Sequence, residues 1–105
     1  MLTHEEICRA VRQAAPKYQI RNAYYFGSYA RGTQTESSDL DLLVEFDSDN
    51  IGLFERAGLV SELEDALRNG VDVVRLPLSP KTRLQIEKVV KCYGNTRPSV
   101  FRQDA

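Results

Sequence analysis

The stretch from Gly27 to Val44 restricts this chain more than any other. It joins a glycine-bounded turn, Gly27-Ser28-Tyr29-Ala30-Arg31-Gly32, to Ser38-Asp39-Leu40-Asp41-Leu42-Leu43-Val44. In the second half, Leu40, Leu42, Val44 and Phe46 alternate, which is the period of a strand with one buried face. Asp39 and Asp41 fall on the other face, with Leu43 and Glu45. At a rise of ~3.3 Å per residue their Cα atoms are about 7 Å apart. Two carboxylates converging at that spacing repel, and at least one resists ionisation unless a cation lies between them. With oxygen donors only and neither His nor Cys beside them, Mg2+ or Mn2+ is the expected ion.

The first half supplies a complement. Gly27 has no side chain, so a phosphate can approach the backbone. Ser28 offers a hydroxyl and an N–H suited to phosphate oxygens. It can also cap a short helical turn that Gly32 ends in a left-handed conformation. Arg31 either pairs with phosphate or holds an acidic residue of the site. A phosphate cradle next to an acidic pair is the apparatus for moving a nucleotidyl group with a divalent metal.

The flanking sequence reads as helices and strands around this stretch. Thr3 and Glu6 form a capping-box pattern, and Ile7, Val11, Ala14 and Ala15 recur at helical spacing. This predicts a helix over 4–15 stopped by Pro16, a polar link over 17–22 and a short aromatic strand over 23–26. The strand at 40–46 ends in a turn at 47–50. A helix follows over 53–69, with Phe54, Ala57, Val60, Leu63 and Leu67 on its inner face and Asn69-Gly70 closing it. Val71 to Leu76 is a third strand, and a helix is expected over 81–92. Residues 1–94 form the domain and 95–105 a tail. Asp72 is a lone acid between valines, and an unpaired charge in an apolar strand needs a reason. The roughly 25 residues joining strands two and three hold a helix, which permits a parallel crossover. Asp72 would then point into the site as a third carboxylate, and three carboxylates can bridge two ions roughly 3.5–4 Å apart. The expected fold is α/β (α+β): a small mixed sheet with helices packed on one face.

With 105 residues the chain is one small domain, and its net charge of -1 argues against direct nucleic-acid binding. No apolar run approaches the ~20 residues needed to cross a bilayer, and the N-terminus lacks signal-peptide character, so a cytoplasmic location is expected. Cys8 and Cys92 read as buried or half-buried thiols on helices, where a disulfide would be unusual. His4, the sole histidine, reads as solvated. That disfavours a Ser-His-Asp triad and excludes a multi-histidine zinc site.

Taken with Val71-Asp72-Val73-Val74 and the closing Ile86 to Gly94, the two motifs resemble the minimal nucleotidyltransferases of the DNA polymerase β superfamily. The resemblance covers residues 5–94. It implies the polymerase β-like core, with Asp39, Asp41 and Asp72 as catalytic metal ligands. It further implies that Gly27, Ser28, Arg31 and Ser38 bind the nucleotide. Two Mg2+ ions, replaceable by Mn2+, and ATP as substrate follow from it. Members are commonly antitoxins of type VII toxin–antitoxin pairs, beside a HEPN ribonuclease toxin. The implied reaction is transfer of AMP to a tyrosine hydroxyl of that partner, within a hetero-oligomer. Two alternatives stand beside it: neutralisation by binding alone, and adenylylation of a small molecule. The loop Thr33 to Ser37 lacks the basic residue and proline often found there in relatives. The chain is too short for the extra domains that hold primer and base in template-reading polymerases, so another molecule must present the acceptor.

Overall fold

The computed structural model describes residues 1–77 and 88–94. In chain order the elements are α1 (His4–Tyr18), β1 (Ile20–Phe26), α2 (Gly27–Arg31), β2 (Leu40–Phe46), α3 (Leu53–Leu67), β3 (Val71–Leu76) and β4 (Val90–Tyr93). The strands form one sheet in the order β3-β2-β1-β4. β2 and β3 are parallel and joined through α3, whereas β1 runs antiparallel to both β2 and β4. This is the expected small mixed sheet, with a fourth strand added.

α1 starts where the sequence says. Thr3 Oγ1 accepts a hydrogen bond from the Glu6 N–H at 3.1 Å, and Glu6 Oε1 accepts one from the Thr3 N–H at 2.9 Å. These two bonds satisfy donors that a helix start otherwise leaves orphaned. Thr3→Ala is expected to lower stability by about 1 kcal/mol, read as a shift in the denaturant midpoint at constant slope. No shift would mean that water replaces the cap at no cost.

Pro16 does not stop this helix. It removes one i→i−4 hydrogen bond, but the helix continues to Tyr18 and ends at Gln19 with φ 56°. The last turn is held by packing: Ala14 and Ala15 are buried, and the Tyr18 ring lies against Gly58 of α3. The strand expected from residue 23 therefore begins at Ile20, and the polar link reduces to one residue.

The main core lies between the sheet and the two long helices. Ile7, Val11 and Ala14 of α1 and Leu59 and Leu63 of α3 meet Leu40, Leu42 and Val44 of β2, all nearly inaccessible to solvent. The inner ridge of α3 is Leu59, Leu63 and Leu67 at i, i+4 and i+8. Phe54, expected on that face, is 91% exposed, and its neighbour Leu53 is 81% exposed. α3 ends one residue before Asn69-Gly70, at Arg68 with φ 51°. The opposite sheet face carries a smaller cluster of Tyr24, Phe26, Leu43 and Leu76.

Of the helix expected over 81–92, residues 81–87 lie outside the described residues, as does the tail at 95–105. Val90 to Tyr93 is strand, not helix, so Cys92 sits on β4 and not on a helix. Among the described residues no helix is long and apolar enough to cross a membrane.

Candidate active site

The site forms at the end of the sheet where β1 stops and β2 and β3 start. The β1–β2 register sets Phe26 opposite Asp41, and the β2–β3 register sets Asp41 opposite Asp72. Residues directly paired in a sheet point to the same face. Asp41 and Asp72 therefore stand side by side on the face away from the main helices. Asp39 lies just before β2, level with Gly70, because the Leu40 N–H donates to Gly70 O at 2.8 Å. The structure thus brings all three predicted acids to one end of one sheet face.

Their electrostatics agree with that placement. Asp41 is half-buried, while Asp39 and Asp72 are exposed. Burial pushes the Asp41 carboxyl above the ordinary aspartate range. The charges of Asp72 and Asp39 push it further, and Arg31 pulls it back. Arg31 makes no ion pair with Asp41, so its charge acts from a distance, at the end of α2.

These side chains suit a hard divalent cation in donor type and in mutual charge. Among the described residues, however, no three Asp, Glu, His or Cys side chains are gathered tightly enough to hold a metal as they stand. Three like charges are expected to splay apart unless a cation draws them together.

Gly27 is the hinge from strand to site. Its φ of 71° is a left-handed conformation that favours glycine, and a Cβ there would sit 2.5 Å from Asp41 Oδ2. The loop backbone therefore rests directly on the carboxylate. Ser28 lies inside α2 and does not cap it; the N-cap position is Phe26, which has no capping side chain. In that position the Ser28 hydroxyl is not committed to the helix start. Gly32 does end the helix as expected, with φ 76° and its N–H bonded to Ser28 O.

Ser38 has a structural task. Its Oγ accepts from the Thr35 N–H at 2.9 Å, and its own N–H donates to Thr35 O at 3.0 Å. This closes the connecting loop. Two neighbours escaped sequence reasoning. Asn69 Nδ2 donates to Ser38 O and to Gly70 O, tying the start of β3 to the start of β2. Gly70 presses against the Asp39 carboxylate, which a Cβ there would displace. The Asn-Gly pair reads in sequence as a helix stop, which hides its contact with the acid. Glu45, farther along β2, is half-buried and accepts from buried Asn22 Nδ2 at 2.7 Å.

Comparison with known proteins places this geometry. A Methanocaldococcus jannaschii protein provisionally named as a protein adenylyltransferase is 48% identical over 59 residues, covering 55% of this chain and 59% of that protein. The protein adenylyltransferase MntA of Shewanella oneidensis is 37% identical over 75 residues, covering 71% of this chain and 52% of MntA. The matches thus span little more than half of either relative's length. A crystal structure of a toxin–antitoxin with AMP-PNP superposes with a TM-score of 0.70 at 29% identity, covering 90% of this chain and 75% of that one. Residues 9–92, most of the chain and all of the candidate site, match the family described as Polymerase beta, Nucleotidyltransferase. The chain belongs to the polymerase β nucleotidyltransferase family.

Proposed function

We propose that this chain transfers AMP from ATP to a tyrosine hydroxyl of a HEPN-type toxin protein and thereby acts as its antitoxin. The observation that carries this reading is the pairing of Asp41 with Asp72, beside Asp39 and directly under the Gly27 backbone. Acids crowded against the bare backbone of a glycine suit a nucleoside triphosphate with its metal. The relatives named as protein adenylyltransferases, and the AMP-PNP-bearing toxin–antitoxin structure, support the donor and the class of acceptor.

Asp39, Asp41 and Asp72 would hold Mg2+, with Mn2+ as a substitute. Bound there, the metal would neutralise triphosphate charge and lower the pKa of the acceptor hydroxyl. The protein's own part is placement. Gly27 lets a phosphate approach the loop backbone. Ser28 offers a hydroxyl and a first-turn N–H to phosphate oxygens, and Arg31 brings positive charge to the same side. In the balanced reaction the acceptor oxygen bonds to the α-phosphorus, the bond to the bridging oxygen breaks and diphosphate leaves. The hydroxyl proton goes to solvent. A cytoplasmic location, where ATP and a toxin partner are both present, belongs to this reading.

The test is to incubate the chain with ATP, Mg2+ and a folded HEPN-type partner and to follow the partner by intact mass. A gain of one or more AMP units is expected. It should disappear with a chelator and return with excess Mg2+ or Mn2+. An unmodified partner that still binds the chain would overturn the transfer reading.

A further inference from the structure

The sheet face opposite the three aspartates carries a second group of reactive side chains, which AMP transfer does not use. Cys8 on α1 and Cys92 on β4 are both free and buried. They belong to the same core cluster, where α1 packs against β4, and they lie close enough to influence one another's ionisation. His4 precedes Cys8 by one helical turn and is not simply solvated. Its Nε2 lies 3.3 Å from Cys8 Sγ, and its Nδ1 lies 2.8 Å from the Tyr25 phenol oxygen. In the tautomer whose Nδ1–H donates to Tyr25, Nε2 is free to accept the Cys8 proton.

The two thiols are not equivalent. A surface cavity of about 240 Å³ lined by His4, Glu5, Cys8, Arg9 and Arg12 reaches Cys8 but not Cys92. Burial pushes both thiols above the ordinary range. For Cys8 this is partly opposed by the Arg12 charge. Cys92 has no such relief and also donates to Ala23 O at 3.4 Å. Both cysteines are buried, but only Cys8 lines the cavity and has a base and a cation beside it, which makes it the one placed to attack and Cys92 the one placed to resolve.

We propose that Cys8 and Cys92 are a thiol pair that a small hydroperoxide oxidises to an intramolecular disulfide between α1 and β4, with Cys8 reacting first and His4 accepting its proton. Cys8 sulfur attacks one peroxide oxygen. The S–O bond forms, the O–O bond breaks, and the leaving oxygen takes a proton from His4 to depart as water or an alcohol. Cys92 sulfur then attacks Cys8 sulfur. The S–S bond forms, the S–O bond breaks, and hydroxide leaves with the Cys92 proton as water. The two electrons given up by the thiols are those gained by the peroxide. A pair of this kind is compatible with a reducing compartment, where disulfides that do form are transient and redox-sensing.

The test treats the full native chain with a modest excess of hydrogen peroxide and follows intact mass, free thiols and peptide mapping under non-reducing conditions. The expected result is a monomer that loses two hydrogens and both free thiols, recovers them with dithiothreitol, and yields a Cys8–Cys92 linked peptide. Cys92→Ser should stop at a sulfenic acid on Cys8 that dimedone traps. Cys8→Ser should leave Cys92 reduced, and His4→Ala should slow oxidation severalfold without changing the circular dichroism spectrum. The proposal is overturned if both thiols survive in the native chain and react only after unfolding. It is equally overturned if the product is a disulfide between two chains, or if Cys92→Ser consumes Cys8 without a trappable sulfenic acid.

Discussion

Asp41→Asn is expected to reduce AMP transfer by about 10³-fold or more and, at neutral pH, to raise the melting temperature of the domain. The activity loss follows from removing the most buried of the three carboxylates. Charge stabilisation of several kcal/mol at a phosphoryl centre corresponds to that factor. The stability gain follows from the direction of the Asp41 shift. Burial first, then Asp72 and Asp39, raise its pKa in the folded state. Between the unfolded and folded pKa values the native state binds more protons than the unfolded chain, so stability falls as pH rises through that window. Ionised Asp41 therefore costs stability above its folded pKa, and Asn removes the cost. Below the unfolded pKa, roughly 4, both states are protonated and the advantage should fade. Thermal melts of both proteins across this range, with and without Mg2+, check the argument. Mg2+ should stabilise the wild type more than the variant. A variant that melts lower at neutral pH, by an amount independent of pH, would show that Asp41 supports the fold and is not a strained ligand. A variant that binds and neutralises the partner fully, without transferring AMP, would favour antitoxin action by contact.

This combination of lost activity and gained stability was partly legible in the sequence. β2 is defined by its own alternation, and its observed bounds coincide with the expected 40–46. Because the period is two, fixing which face is apolar also fixed where Asp39 and Asp41 point. β3 was legible for a different reason: three valines around one acid fit a strand better than a helix, and the helix-bearing connection permits a parallel neighbour, which is what forms. The misses arise where tertiary contact overrides a local signal. Pro16 reads as a stop, but Tyr18 against Gly58 holds the last turn. Val90 to Tyr93 is a four-residue strand, too short to show a period, and pairing with β1 decides its state. Phe54 falls within the apolar pattern of α3, but the i, i+4 ridge of leucines turns it to solvent. The His4–Tyr25 contact and the shared core cluster of Cys8 and Cys92 join residues far apart in the chain, and no spacing rule reveals them. The same is true of Gly70 against Asp39, which is part of the site's shape.

Two glycines allow the shape of the site to be separated from its charge. At Gly27 any side chain meets two obstacles: the left-handed backbone at φ 71° and the Asp41 carboxylate 2.5 Å from the new Cβ. Gly27→Ala is expected to cost about 1–2 kcal/mol of stability. It should also lower transfer by about 10²-fold, because a displacement near 1 Å at a positioning group has that effect. Gly70 meets only one obstacle. Its φ lies outside the left-handed region, and the obstructing atom is the free end of the Asp39 side chain. Gly70→Ala should therefore change stability by less than about 0.5 kcal/mol, the range of an ordinary surface substitution, while transfer falls by about tenfold as Asp39 turns away. Chemical denaturation and single-turnover transfer measured on the same preparations separate the cases. If Gly27→Ala kept both full stability and full transfer, the loop would not be seated on Asp41. If Gly70→Ala left transfer untouched, Asp39 would be acting from some orientation other than the one Gly70 allows. The difference between the two glycines rests on backbone conformation and contact: Gly27 holds a left-handed backbone against the site that another residue adopts only with strain, whereas Gly70 only leaves room for a side chain to reach it.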